Sequence, residues 1–98
     1  MLLEKEYRFN PEKSKKLREE RGIGFEEIIA LLDDIHILNI EAHPNQVRYP
    51  NQKMYIVSVD SYAYLVPFVS RETEIFLKTI IPSRKATAKY LGEHRRKT

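Results

Sequence analysis

The residues with the clearest chemical potential lie near the C-terminus, where Ser83 is followed by two cations, Arg84 and Lys85. Pro82 ends an apolar, strand-like segment, and Ser83 is a good N-cap residue, so the pattern predicts that Arg84 and Lys85 open a helix. Cations are disfavoured at a helix N-terminus, because the macrodipole is already positive there. Flanking cations and backbone N–H groups together favour a bound anion, for which a phosphate group is the natural candidate.

Three further polar residues are expected close to this helix start: Lys78 on the preceding strand, and Thr87 and Tyr90 on the helix. Together with Arg84 and Lys85 they predict a phosphate site that could stabilise the charge developing on a cleaved phosphodiester without a metal ion. The alternative is an ordinary salt bridge from Arg84 or Lys85 to a carboxylate. The candidate acids for such a bridge are Glu41 and Glu74.

A second group of candidates lies in the loop-like segment HPNQVRYPNQ and directly after it. His43 is a candidate general acid or base, and Glu41 is the other candidate for proton transfer. Arg48 could bind a phosphate through two hydrogen bonds, and Lys53 is a further candidate for contact with a phosphate backbone. Loop histidines and arginines are more often simply solvated, which is the alternative for both. The tyrosines of the flanking segments could stack on bases, although alternating aromatics on strands usually pack within the sheet.

The charge of the 98-residue chain is unevenly distributed, although its net value is only +3. Residues 84–98 contain six Lys or Arg and one Glu, whereas the rest of the chain contains 11 Lys or Arg and 13 Asp or Glu. Arg95 and Arg96 belong to this basic segment and are candidates for RNA binding. A basic cluster suits a polyanion such as nucleic acid, or an acidic protein partner. A solvated basic tail on a scaffold protein is the alternative.

Composition disfavours several functional classes. There is no cysteine, which excludes disulfides and cysteine-based zinc sites and fits a reducing cytoplasm. The three histidines are scattered, so neither a metal site nor a cofactor is expected, and Gly22 and Gly24 lack the context of a phosphate-binding loop. The first residues, MLLEKEYRFN, lack the apolar run of a signal peptide, and no segment can span a membrane. We therefore expect a cytoplasmic protein.

Hydrophobic periodicity predicts one α+β domain over residues 1–92 and a basic tail over residues 93–98. The predicted order of elements is β-α-α-β-β-β-β-α, which favours one antiparallel sheet with helices packed on it. Asn10 and Gly22 are the expected ends of a first helix that is almost entirely polar. The apolar segment IFLKTII is predicted to be the central strand.

Two positions carry specific predictions about the strands. Asp60 and Ser61 separate two strand-like runs, so they predict a two-residue hairpin turn. Pro67 cannot donate a backbone hydrogen bond, so it is expected at an edge side or at a bulge.

Two stretches of the chain resemble the BrnT-like toxins of bacterial type II toxin–antitoxin systems. The first, YRFNPEKSKKLREERGIGFEEIIALLDD, is similar to the family's aromatic strand, Lys-rich helix and hydrophobic-Gly-Ile-x-Phe-Glu entry to a second helix. The second, FLKTIIPSRKATAKY, is similar to its closing strand and the helix start that follows. The two stretches lie at opposite ends of the chain and cover a little under half of it.

The resemblance implies a fold related to the RelE-type ribonuclease toxins and cleavage of RNA without a metal, with inhibition of translation and growth. It also implies a hetero-oligomer with a small DNA-binding antitoxin encoded beside the toxin. Arg84 and Lys85 match the Arg-Lys pair of the family. Arg48 falls where the family often has Glu-Arg, but Val47 precedes it here.

A second departure lies before Gly22, where family members often have Lys-His and this chain has Glu20-Arg21. The two departures remove candidate catalytic groups. They favour the alternative hypothesis of a non-catalytic nucleic-acid-binding or partner-binding module that has kept the toxin fold.

Overall fold

The chain folds into six strands and three helices, which a computed structural model describes over residues 5–92. The elements, in chain order, are β1 (Glu6–Arg8), α1 (Pro11–Arg21), α2 (Phe25–Ala30), β2 (Ile37–Ala42), β3 (Gln52–Val59), β4 (Tyr62–Ser70), β5 (Glu74–Leu77), β6 (Ile81–Pro82) and α3 (Arg84–Thr87), which continues into a π-helical segment, Ala88–Gly92. The predicted α+β class is confirmed. None of the helices in the described residues is long and apolar enough to cross a membrane.

The strands form one sheet in the order β1-β5-β4-β3-β2, with β6 also paired to β4. The longest pairing is the antiparallel β3–β4 hairpin, whose turn residues Asp60 and Ser61 have φ values of 52° and 67°. Two consecutive positive φ values are the conformation that tight hairpin turns require. The predicted hairpin is therefore confirmed.

The sheet is mixed, so the prediction of an antiparallel sheet was wrong in one respect. β1 runs parallel to β5, with Glu6 opposite Glu74 and Arg8 opposite Phe76. A parallel pair needs a crossover connection, which α1, α2 and the intervening strands supply here. Strand β1 is three residues long and alternates charged with aromatic residues, so its sequence carries no signal for its partner.

The segment IFLKTII is not the central strand, because it divides into β5 and β6, and β4 takes the centre. Pro67 of β4 lies opposite this break. Its carbonyl accepts the Lys78 N–H at 2.8 Å, but proline has no N–H to donate in return. Pro67 does not lie on an edge strand, but it lies beside a one-residue shift in register. Phe68 pairs with Leu77 whereas Leu65 pairs with Ile81, so one extra residue lies on the β5–β6 side, as the prediction of a bulge expected.

The helix ends follow the local signals closely. The Asn10 side chain accepts hydrogen bonds from two backbone N–H groups of the first turn of α1, and Gly22 ends the helix with φ of 80°. At the other end of the chain, the Ser83 hydroxyl accepts the Ala86 N–H at 3.0 Å. The predicted caps are thus present at α1 and α3.

The sheet has two packed faces. On one, here called the α1/α2 face, the helices bury Leu17, Phe25 and Ile28 against β3, β4 and β5. On the other, here called the α3 face, Ala86 packs against a smaller cluster from β3 and β4. The members of that cluster are Met54, Ile56 and Ala63, with Leu38, Leu65, Tyr90 and Leu91 around them.

A polar network joins α1 to α2. The buried Ser14 hydroxyl accepts the Phe25 N–H at 2.9 Å and donates to Glu26 at 2.6 Å. Arg18 bonds to the carboxylates of both Glu26 and Glu27. These hydrogen bonds lower the pKa of both glutamates. In the first of the two stretches that resemble the toxin family, these residues therefore connect α1 to α2, on the side of the sheet opposite α3.

Candidate nucleic-acid interface

The start of α3 is fixed to β4 through Ala63. The Ser83 N–H donates to the Ala63 carbonyl at 3.0 Å, and the Thr87 hydroxyl accepts the Ala63 N–H at 2.8 Å while donating to the Ser83 carbonyl at 2.8 Å. The Thr87 hydroxyl therefore occupies the place that a carbonyl of a neighbouring strand would take. Thr87 was predicted to bind RNA, but it is only 3% exposed. Burial and these bonds give it the structural role of holding α3 on the sheet.

A cleft of about 290 Å³ lies between α3, the sheet and the loop after β2, and we call it the α3 cleft. Its floor is apolar and is formed by Met54, Ile56, Leu65 and Ala86. Its rim is polar and carries Glu41, Ser83, Lys85, Lys89 and Tyr90, together with Pro44 from the loop. An apolar floor with a few charged groups at the rim is the common form of a small-ligand site.

The one carboxylate among the cleft-lining residues, that of Glu41, is occupied by its neighbours. The Tyr90 hydroxyl donates to it in a very short hydrogen bond, and the Lys89 ammonium lies 3.5 Å away. Asn39 donates to the Tyr90 oxygen at 2.7 Å and so completes the network. The Tyr90 hydrogen bond and the Lys89 charge lower the pKa of Glu41. Glu41 is thereby held ionised, which makes it a weaker proton acceptor than an ordinary glutamate.

The two cations at the start of α3 have no carboxylate partner within residues 5–92. The candidate acids are engaged elsewhere, Glu41 with Lys89 and Glu74 with Arg8 at 3.3 Å. Both Arg84 and Lys85 are exposed, and Lys85 alone of the two lines the cleft. Within residues 5–92 the structure therefore shows no salt bridge from Arg84 or Lys85 to a carboxylate, which was the alternative.

The macrodipole argument is weakened by the length of the helix. α3 has four residues before the π-helical segment begins, so few peptide dipoles align there. The attraction of an anion to this end of the cleft therefore comes mainly from the side chains. Lys85 and Lys89 lie four residues apart, so they share one face of the helical segment and both reach the rim.

The loop after β2 places two predicted residues beside the cleft rather than in it. The His43 and Tyr49 rings are in contact, with centroids 4.4 Å apart and planes tilted by 41°, and the Arg48 guanidinium lies 5.7 Å from the Tyr49 ring. The His43 Nδ1 atom accepts the Asn45 N–H at 3.0 Å, which places the ring proton of the neutral form on Nε2. The loop residue that reaches the cleft is Pro44, the neighbour of His43.

The remaining predicted residues are dispersed. Lys53 is paired in register with Phe68, whose side chain is buried on the α1/α2 face, so it does not share the α3 face. The Lys78 ammonium lies 5.4 Å from the Phe76 ring, away from the cleft. Arg95 and Arg96 lie outside the described residues.

The structure thus brings together Lys85 and Tyr90 of the predicted residues, with Glu41, and adds Lys89, which sequence reasoning missed. The spacing of Lys85 and Lys89 was the signal that could have identified it.

Comparisons of the chain with protein-family models, with curated proteins and with solved structures found no match. The chemistry of the α3 cleft therefore has to be argued from its own residues.

Proposed function

We propose that this protein is the toxin of a type II toxin–antitoxin system, a BrnT-like member of the RelE-related ribonucleases. In this proposal it acts as a metal-independent endoribonuclease in the cytoplasm and inhibits translation and growth. The observation that carries the proposal is the α3 cleft, where an apolar floor suited to a base lies beside the cations Lys85 and Lys89. Arg84, exposed next to Lys85, adds a third positive charge.

The proposed reaction needs only RNA, the protein and solvent water. The ribose 2′-hydroxyl attacks the adjacent phosphorus and loses its proton to a water molecule, and the bond from phosphorus to the 5′ oxygen breaks. Arg84 and Lys85 stabilise the negative charge that grows on the phosphate oxygens. His43 lies next to Pro44, which lines the rim, and in this scheme the protonated imidazolium form of His43 donates a proton to the leaving 5′ oxygen and is left as neutral imidazole. The products are a 2′,3′-cyclic phosphate and a 5′-hydroxyl end.

Induction of the protein in bacterial cells without its antitoxin tests the proposal. We expect growth arrest with the unaltered protein and normal growth with the Arg84→Ala, Lys85→Ala double variant. The matched control is Lys15→Ala, Lys16→Ala, which removes two exposed charges from α1 on the other side of the sheet. Undiminished toxicity of the Arg84, Lys85 variant at equal protein level would refute the roles given to these residues.

A second candidate function is binding without catalysis, and the state of Glu41 favours it. The Tyr90 hydrogen bond and the Lys89 charge lower the pKa of the one carboxylate that lines the cleft, so it is a poor general base. Incubation of purified protein with total RNA, with and without EDTA, separates the two candidates. Cleavage that persists in EDTA eliminates the binding-only function, whereas intact RNA bound by the protein supports it.

The proposed partner is a small DNA-binding antitoxin encoded beside the toxin, which forms a hetero-oligomer with it. An antitoxin segment with acidic and apolar side chains would complement the α3 cleft, because the cleft offers Lys85 and Lys89 above an apolar floor. The exposed, polar α1 is the alternative contact surface, on the opposite side of the sheet. Co-expression with the neighbouring reading frame and co-purification test the partnership. Competition between that partner and RNA indicates which of the two surfaces it covers.

A further inference from the structure

A second groove, of about 480 Å³, lies at the end of the sheet where β3 begins and β4 ends, and we call it the sheet-end groove. Two cations line it, Lys53 at the start of β3 and Arg71 just after β4. Three side-chain amides lie beside them, those of Gln46, Asn51 and Gln52. No acidic residue is among the described residues that line this groove.

The charge of this groove is not neutralised by nearby acids. Neither Lys53 nor Arg71 takes part in a salt bridge within residues 5–92, and both side chains are exposed. A third cation, Lys5, is held next to it by a 2.7 Å hydrogen bond from its ammonium to Ser70, which also lines the groove. Glu72 directly follows Arg71 but forms no salt bridge with it within residues 5–92, and Glu74 is paired with Arg8.

The sheet-end groove and the α3 cleft lie on either side of one loop. Pro44 lines the cleft, and Gln46, two residues later, lines the groove. On β3 the cleft floor includes Met54 and the groove includes Gln52, which are separated by about 7 Å along the strand. The loop between the two cavities carries the rings of His43 and Tyr49, which are in contact with each other at an angle of 41°. Because Lys53 belongs to the α1/α2 face, a ligand that reaches both cavities must pass around this end of the sheet; an extended ligand can do so, whereas a single small anion cannot.

We propose that the sheet-end groove is a second subsite for single-stranded RNA, in which Lys53 and Arg71 hold backbone phosphates while the same strand occupies the α3 cleft. The identity of the ligand rests on the proposed function. A single strand is favoured over a duplex because the loop between the cavities carries the His43 and Tyr49 rings, and unpaired bases stack on such rings. The amides offer both donors and acceptors, which suits base edges as well as phosphates.

The test measures RNA affinity by fluorescence anisotropy over a range of salt concentrations. The variant is Lys53→Gln, Arg71→Gln, and the matched control is Lys15→Gln, Lys16→Gln on α1. For a single strand of about 12 nucleotides we expect binding at least about 10-fold weaker in the variant. The slope of log K against log salt should fall by about 1.4, because two phosphate contacts are lost at about 0.7 each.

A strand of about three nucleotides fills only one cavity, so its affinity for the cleft should be the same in both proteins. Equal affinity and equal salt slope for the long strand in the variant and the unaltered protein would overturn the inference. Loss of binding that is as large in the Lys15, Lys16 control would also overturn it, since it would indicate a non-specific charge effect.

Failure of the inference is distinguishable from failure of the proposed function. If the protein binds RNA through Lys53 and Arg71 but cleaves none, the subsite stands and catalysis is refuted. If the Lys53, Arg71 variant binds and cleaves RNA like the unaltered protein, catalysis stands and the subsite is refuted. If the groove binds an acidic partner protein and no RNA, the subsite is refuted. The single variants Lys53→Gln and Arg71→Gln provide the same readout should the double variant fail to fold.

Discussion

Replacing Thr87 by valine tests how α3 is held on the sheet. The change keeps the shape of the side chain but removes the hydroxyl that accepts the Ala63 N–H at 2.8 Å. A buried N–H left without a partner costs about 1–3 kcal/mol. The Ser83 carbonyl loses one donor but keeps the Thr87 N–H at 3.0 Å, so it adds little. We therefore expect a loss of about 2 kcal/mol in the free energy of unfolding, and a fall in Tm of roughly 8–16 °C for a domain of this size.

Urea denaturation measures this loss, with Thr87→Ser as the matched control. Serine keeps the hydroxyl and removes one methyl group, which costs about 1 kcal/mol. Because α3 and the π-helical segment after it carry Lys85 and Lys89, the proposed binding of RNA should also be weaker in the valine variant, even though Thr87 is buried. The reasoning is refuted if Thr87→Val stays within about 0.5 kcal/mol of the unaltered protein, or if serine is as destabilising as valine.

Two further predictions concern the junction of α1 and α2. Ser14→Ala should lower the free energy of unfolding by about 1–3 kcal/mol in urea denaturation, because the buried Phe25 N–H loses its acceptor. A change within the error of the measurement would show that another group satisfies this N–H. The second prediction concerns pH: hydrogen bonds to Ser14 and Arg18 lower the pKa of Glu26 and Glu27 in the folded state. Their contribution to stability is therefore complete above the unfolded-state value, about pH 4, and is lost as the pH falls through the lower folded-state values. Urea midpoints between about pH 6 and pH 3 should fall less steeply in a Glu26→Gln, Glu27→Gln variant, and identical slopes would contradict the assignment.

The features that were predictable from the sequence are those set by neighbouring residues. The caps at Asn10 and Ser83, the C-terminal glycine of α1 and the Asp60–Ser61 turn all depend on hydrogen bonds or φ values within a few residues. The parallel pairing of β1 with β5 depends on two segments from opposite ends of the chain, and no local rule specifies it. The break between β5 and β6 depends on Pro67 in a neighbouring strand, which the apolar run IFLKTII does not reveal.

The same distinction applies to the candidate site. The position of Arg84 and Lys85 at the start of a helix was predictable, because the N-cap residue Ser83 directly precedes them. That Lys53 lies on the other face of the sheet could not be predicted, because the face on which a strand residue lies follows from the register of the sheet. The engagement of Glu41 by Tyr90 joins positions nearly half the chain apart, so sequence reasoning treated Glu41 as a proton acceptor that was free to react.

The pairing of β1 with β5 has a consequence for the order in which the chain acquires its structure. Contacts between distant segments form late, because the entropy of closing the intervening loop must be overcome first. During synthesis α1 and α2 emerge well before the β3–β4 hairpin on which they pack, and α3 emerges last of the described elements. The walls of the α3 cleft come from β2, β3, β4, α3 and the π-helical segment, so the cleft can form only after the chain has left the ribosome as far as Tyr90. A nascent chain would therefore expose the apolar faces of α1 and α2 before the α3 cleft forms.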